Sequence, residues 1–168
     1  VIGRDTVVMS LQNGLGHEEV LGEVVGRQRL LAGRTYVGGQ TLAPGTVLAG
    51  TRGKQTIIGE LDGRITDRVC AVAAEFDRAG RATAVSRHIM GTIWDKLLVN
   101  VATGALAGIT RLPYGKLDAV PEIEAVAVAA VAEAMAVARA GGIALSFADP
   151  HEPWLRAAAS SPLPTPYQ

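Results

Sequence analysis

The sequence predicts a mixed α/β segment followed by an all-α segment, and three features carry that reading. Up to Ser86, short β-branched and apolar runs alternate with glycine- and asparagine-containing turns, the pattern of strands interleaved with helices. After Ser86-Arg87 the apolar residues recur at helical spacing and the strand pattern stops. Residues 125–140 are rich in Ala and Val and are stopped by Gly141-Gly142. The boundary is therefore placed at 86/87, with domains over 1–86 and 87–168.

Thr6 to Leu11 is β-branched and apolar and runs into Asn-Gly, which predicts a buried strand. His17 to Val25 reads as a helix with Glu18 and Glu19 in its first turn, where the helix dipole favours negative charge. Leu30 to Gln40 reads as one strand with glycines. Thr46 to Thr51 and Gln55 to Leu61 read as two strands of a hairpin joined at Gly53-Lys54. Thr66 to Arg78 is an amphipathic helix closed by Gly80, and Thr83 to Ser86 is a short strand. His88 to Ile109 is a long helix whose Gly91, Gly104 and Gly108 permit close packing. Leu112 to Leu117 is a proline-containing connection. Pro121 opens another long helix, with Glu122 and Glu124 near its positive end. Asp149 to Ala159 forms a short helix, and the last nine residues form a proline-rich loop.

With 168 residues, of which 48% are hydrophobic, the chain can bury a sizeable core. Sixteen basic and sixteen acidic residues leave no basic field to attract nucleic acid or an anionic membrane. The single Cys70, set in an apolar helical pattern, is expected to be a buried, reduced thiol, and no disulfide framework is possible; a cytoplasmic protein is expected. The 125–140 tract is broken by Glu133 and Arg139 and is too short to span a membrane. The first residues lack an initiator Met and a signal-peptide layout, and both ends read as cuts in a longer protein.

The stretch Ile93-Trp94-Asp95-Lys96-Leu97-Leu98-Val99-Asn100 is where chemistry is expected. Lys96 and Asn100 are four residues apart, so they share one helix face, one turn apart. An ammonium and a carboxamide side by side on an apolar wall can bind and polarise a small carbonyl compound. Desolvation of an ammonium favours release of its proton, which suits donation to a developing alkoxide. The alternatives are a solvated Lys96 paired with Asp95 and an Asn100 that hydrogen-bonds between helices. Asn13, just past a strand, is either a turn residue or a site residue at the carboxyl end of that strand, where open α/β sheets bind ligands. Gly14-Leu15-Gly16 is not a dinucleotide fingerprint, because its third glycine would fall at Glu19. His17, His88 and His151 have no metal-ligand spacing, so no metal site is expected. Ser160-Ser161 has no His/Asp arrangement for a hydrolase triad.

Leu11-Gln12-Asn13-Gly14, Ile58-Gly59-Glu60, Trp94-x-Lys96-Leu97-x-x-Asn100 and Gly115-x-Leu117, in that order, resemble the ketopantoate reductase (2-dehydropantoate 2-reductase) family. The resemblance implies the second half of a Rossmann-like cofactor domain, then the start of a helical domain for substrate and dimerisation. It implies NADPH-dependent reduction of a 2-oxo acid, ketopantoate to pantoate, on the route to pantothenate and coenzyme A. Lys96 would be the general acid. Asn100 would hydrogen-bond the substrate, and Asn13 would lie near the nicotinamide ribose and the substrate. A homodimer through the helical domain would follow.

The sequence departs from the family pattern in three places. The glycine-rich phosphate loop and first strands are not seen, and the chain stops short of a Ser-containing segment and a substrate-binding Glu. The segment alone is therefore expected to be inactive. Where members often carry a second Asn one turn after Asn100, this chain has Gly104. Two alternatives compete: a related two-domain dehydrogenase acting on another oxo acid or imine, and a non-catalytic helical module using the Ala/Val-rich helix as a dimer face.

Overall fold

The computed structural model describes residues 2–50 and 54–158, and the chain divides into two compact units, Val1–Ile93 and Trp94–Gln168. The first is α/β and the second, over its described residues, is all-α.

The first unit is built on a four-stranded sheet of order β1-β2-β5-β6, from Val8–Ser10, Leu30–Thr35, Thr56–Glu60 and Thr83–Val85. β1 and β2 run parallel, β5 runs antiparallel to β2, and β6 is parallel to β5. Alternation along the strands sends successive side chains to opposite faces. On one face Leu31 and Ile58 pack with Val69 and Ala73 of helix α2 (Asp67–Arg78). On the other, Ala32 packs with Ile89 and Ile93 at the start of helix α3 (Ile89–Thr110). Gly59 makes that second contact possible: a Cβ there would lie 2.6 Å from the Ser86 carbonyl oxygen and 2.8 Å from Ile89 Cβ. Helix α1 (His17–Val25) joins β1 to β2 with the predicted bounds.

Three expectations for this unit are corrected. The run Leu30 to Gln40 is not one strand. β2 stays in the sheet through Thr35, which pairs with Thr56, and the chain then leaves to form β3 (Gly38–Ala43). The hairpin is also different. β3 pairs with β4 (Thr46–Gly50), around Pro44-Gly45, in a separate two-stranded ribbon, while β5 pairs with β2. β4 is exposed throughout, whereas Ile58 of β5 is fully buried, so burial of apolar surface draws β5 into the sheet and leaves β4 outside. Gly53 of the expected Gly-Lys turn lies outside the described residues, as does the terminal proline-rich loop. Cys70 is exposed rather than buried. Val69 and Ala73, one turn apart, take the sheet-facing stripe of α2, and position 70 is rotated away from it.

Glu60 ties the first unit together at the start of β2. Arg68 donates from Nε to Glu60 Oε1 at 2.7 Å and from Nη2 to Oε2 at 2.5 Å, while Nη1 reaches the Gln28 carbonyl. Thr66, the N-cap of α2, donates its hydroxyl to the same carboxylate and accepts from the Val69 N–H. The Arg68 hydrogen bonds hold the Glu60 carboxyl below its usual value of 4.5, against the opposing effect of burial. A depressed folded-state value contributes stability that is fully present above the unfolded value and is lost as pH falls through the folded one. Glu60→Gln is accordingly expected to cost about 1.5–3 kcal/mol at neutral pH, the scale of hydrogen bonds to a charged group. The wild-type advantage should shrink below the ordinary glutamate range. Urea denaturation of both proteins at neutral and acid pH measures this, and equal stabilities at neutral pH would contradict it.

In the second unit α3 continues into α4 (Tyr114–Leu117), α5 (Pro121–Ala140) and α6 (His151–Ala158). The expected loop at Leu112 to Leu117 thus contains one helical turn. Leu98, Ala102, Ala127, Val131, Met135 and Trp154 form the centre of a single apolar cluster. In α5 the buried residues Ala127, Val131, Met135 and Ala138 fall at helical spacing, which is how the Ala/Val tract forms one face. Asp95 Oδ1 accepts from the Ser146 N–H at 3.0 Å, pinning the segment before α6 to α3. Among the described residues, no helix is long and apolar enough to cross a membrane, and no cluster of metal-binding side chains occurs.

Candidate active site

α3 positions Lys96 and Asn100. Its inward stripe, with Leu98, Ala102 and Ala107 buried, faces the helical core, and this orients the rest of the helix. Lys96 is half-buried, between half-buried Asp95 and Leu97. Asn100 is exposed, one turn further along. The apolar residues around it in sequence point elsewhere on the helix. Thr103 is the polar residue that the helix buries, and its hydroxyl donates to the Val99 carbonyl at 2.9 Å. The expectation of close packing fails at Gly104 and Gly108. Both are exposed, and a Cβ at either would meet nothing within 4 Å. Gly91 is buried.

Asn13 lies in the first unit, three residues past the end of β1. Its side chain belongs to an exposed residue, and His17 Nε2 donates to its backbone carbonyl at 2.9 Å. Gly14 and Gly16 have φ of 102° and 89°, a region side chains rarely adopt, so this loop needs glycine at both places to turn into α1. β1 is parallel to β2, so Asn13 stands at the carboxyl edge of a parallel pair, the edge where α/β sheets take ligands. The structure therefore presents Lys96 and Asn100 together on one helix and Asn13 on a glycine-containing turn of the other unit.

Two residues escaped notice in the sequence. Arg34, at the carboxyl end of β2, stacks its guanidinium 4.4 Å over the Tyr36 ring; its polar character inside a strand was the available signal. Arg68 completes the Ile58-Gly59-Glu60 motif from eight residues away, and only folding reveals that Glu60 is an anchor of the sheet.

Chemically, an ammonium and a carboxamide one turn apart can bind a carbonyl oxygen and a neighbouring polar group of one small molecule. Comparison with known proteins bears on which molecule. The family model "Ketopantoate reductase PanE/ApbA" matches residues 1–63, and "Ketopantoate reductase PanE/ApbA C terminal" matches residues 88–166. The chain is 37% identical over 140 residues to a 2-dehydropantoate 2-reductase of Halobacterium salinarum, covering 83% of this chain and 46% of that protein. A 2-dehydropantoate 2-reductase of Pyrococcus horikoshii is 36% identical, with 84% of this chain and 46% of that protein covered. The crystal structure of a PanE/ApbA family ketopantoate reductase from Ralstonia eutropha superposes with a TM-score of 0.82 at 33% identity, covering 96% of this chain and 51% of that one. The chain thus spans about half the length of the curated relatives it matches.

Proposed function

Because the chain belongs to the ketopantoate reductase family, we propose that the protein to which it contributes reduces a 2-oxo acid, ketopantoate, to the 2-hydroxy acid pantoate with NADPH. The observation that carries this reading is the Lys96/Asn100 pair, one turn apart on α3 with Asn100 exposed. The first unit is then the later part of a dinucleotide-binding domain, and the second is the beginning of a helical substrate domain. The turn at Asn13 fits a nicotinamide nucleotide. An exposed carboxamide offers both donor and acceptor to ribose hydroxyls, and it sits at the carboxyl edge of parallel strands. When bound, the cofactor supplies the hydride.

Lys96 holds the proton that the carbonyl oxygen takes up as it becomes an alcohol, and its charge stabilises the developing alkoxide. Asn100 orients the substrate by hydrogen bonding. Asp95 keeps the helix in place by accepting from the Ser146 N–H. The helical unit also supplies the homodimer contact. Val126 and Val137 of α5, 56% and 62% exposed, support that assignment as apolar residues turned outward. A cytoplasmic setting accords with one cysteine in 168 residues.

NADPH oxidation by the full-length protein with a panel of 2-oxo acids tests the reading. Turnover is expected to be fastest with ketopantoate, and absence of turnover with every 2-oxo acid would overturn it. Asn100→Ala should raise KM for the oxo acid by about tenfold or more, the loss of one hydrogen bond to a charged ligand at roughly 1.5–3 kcal/mol. Gly104 lies one turn beyond Asn100 with open space around it, so Gly104→Asn can be accommodated. The added carboxamide is expected to sharpen the preference for ketopantoate over a smaller and a bulkier 2-oxo acid. Unchanged ratios of kcat/KM in a folded variant would place position 104 away from the substrate.

A further inference from the structure

At the opposite end of the sheet from Asn13, where β2 begins and β5 ends, the first unit holds a cavity of about 500 Å³. That is within the range of small-molecule sites. Its polar lining is dominated by guanidinium groups: Arg27, Arg64 and Arg68, with Gln28, Glu60 and Asp62. The three arginines are not equivalent. Arg68 is spent on structure, forked onto Glu60 and bonded to the Gln28 and Leu30 carbonyls. Arg64 gives only its Nε to a carboxylate, to Asp62 Oδ2 at 2.7 Å, while Asp62 Oδ1 accepts from the Arg64 backbone N–H. Its two terminal nitrogens have no partner among the described residues. Arg27, on the single 3₁₀ turn Arg27–Arg29, makes no ion pair among the described residues. Both acids in the cavity are thus already neutralised by Arg64 and Arg68. The uncompensated charge is that of Arg27, and the free hydrogen-bond donors are those of Arg27 and Arg64.

We propose that this cavity is a second ligand site, distinct from the Lys96/Asn100 pair, and that it binds a small molecule carrying an oxyanion, a phosphate or a carboxylate. Guanidinium forks match both groups in shape and donate in pairs, which a lysine ammonium cannot do. The rigid Glu60–Arg68 fork forms the floor and repels nothing, because its charge is balanced. Arg27 and Arg64 close on the ligand from the solvent side. This site rests on the first unit alone and does not depend on the reductase reading.

Calorimetric titration of the full-length protein with inorganic pyrophosphate and, separately, with citrate tests it. Each is run with and without saturating NADPH, so that phosphate contacts made by the nucleotide are already filled in one arm. Saturable one-to-one binding is expected to persist with NADPH present and to weaken with ionic strength. In the Arg27→Gln/Arg64→Gln double variant it should weaken about tenfold or more, the effect of losing charge-assisted hydrogen bonds. The Arg27→Lys/Arg64→Lys variant, which keeps charge but not the fork, should fall between. Both side chains are exposed, so the melting temperature and the basal NADPH oxidation should be unchanged. Preference for pyrophosphate identifies a phosphorylated ligand, and preference for citrate a carboxylate ligand. No binding of either anion, or binding that the double variant leaves intact, overturns the proposal. A protein that binds these anions through Arg27 and Arg64 yet reduces no 2-oxo acid would retain this site while losing the reductase function.

Discussion

Replacing Lys96 with alanine in the full-length protein is expected to lower kcat by about 10²-fold or more, the usual loss when a positioned general acid is removed. The expectation follows from where α3 puts the residue. Lys96 is half-buried and outside the apolar cluster that Leu98 and Ala102 join, so on the proposed mechanism its loss removes the proton donor without opening a cavity in that cluster. The melting temperature should therefore change little. KM for the oxo acid should change less than kcat, since the contribution grows as charge develops on oxygen. Lys96→Arg is expected to restore little, because a guanidinium keeps its charge but does not give up its proton near neutral pH. Steady-state kinetics of the two variants, with thermal melts as the folding control, make the comparison. A Lys96→Ala enzyme with near-normal kcat would remove this residue from the mechanism.

Trp154→Ala is expected to destabilise the protein by about 3–5 kcal/mol, the range for truncating a large aromatic side chain in a packed core. Trp154 is 2% exposed and belongs to the same cluster as Leu98, Val131 and Met135. With the buried Pro153 and Ala157, it holds α6, only eight residues long, against the rest of the helical unit. Too short to be stable alone, that helix depends on this burial. Denaturant unfolding should show a lower midpoint. Because α3 shares the cluster, activity should fall at temperatures where the wild type is still folded. A loss under 1 kcal/mol would mean that the cavity collapses without penalty and that α6 does not anchor the unit.

Much of the local structure could be read from residue order alone. α1 and α5 have the expected bounds because their signals are local: acidic first turns, Pro121 at the start of α5 and a closing glycine pair after Ala140. α2 was likewise marked by Thr66 and Gly80. That residues 96 and 100 share a face one turn apart was legible for the same reason, since helix geometry sets it and needs no distant partner. Strand pairing was not legible. Asn-Gly and Gly-Lys turns are read one at a time, whereas β5 reaches β2 across an intervening ribbon, and the balance of burial between β4 and β5 decides it.

What the sequence by itself determined is therefore the α/β-then-α order, most helix limits and the candidate chemistry on α3. Only the tertiary structure decided the sheet order, the exposure of Cys70 and Asn100, and the open space at Gly104. It also decided the union of Glu60, Thr66 and Arg68 and the arginine-lined cavity beside them. The physical reason is the same throughout. Helix periodicity is set by hydrogen bonds between near neighbours, but the exposure of a side chain depends on which other element packs over it, and that contact comes from residues far away in the chain.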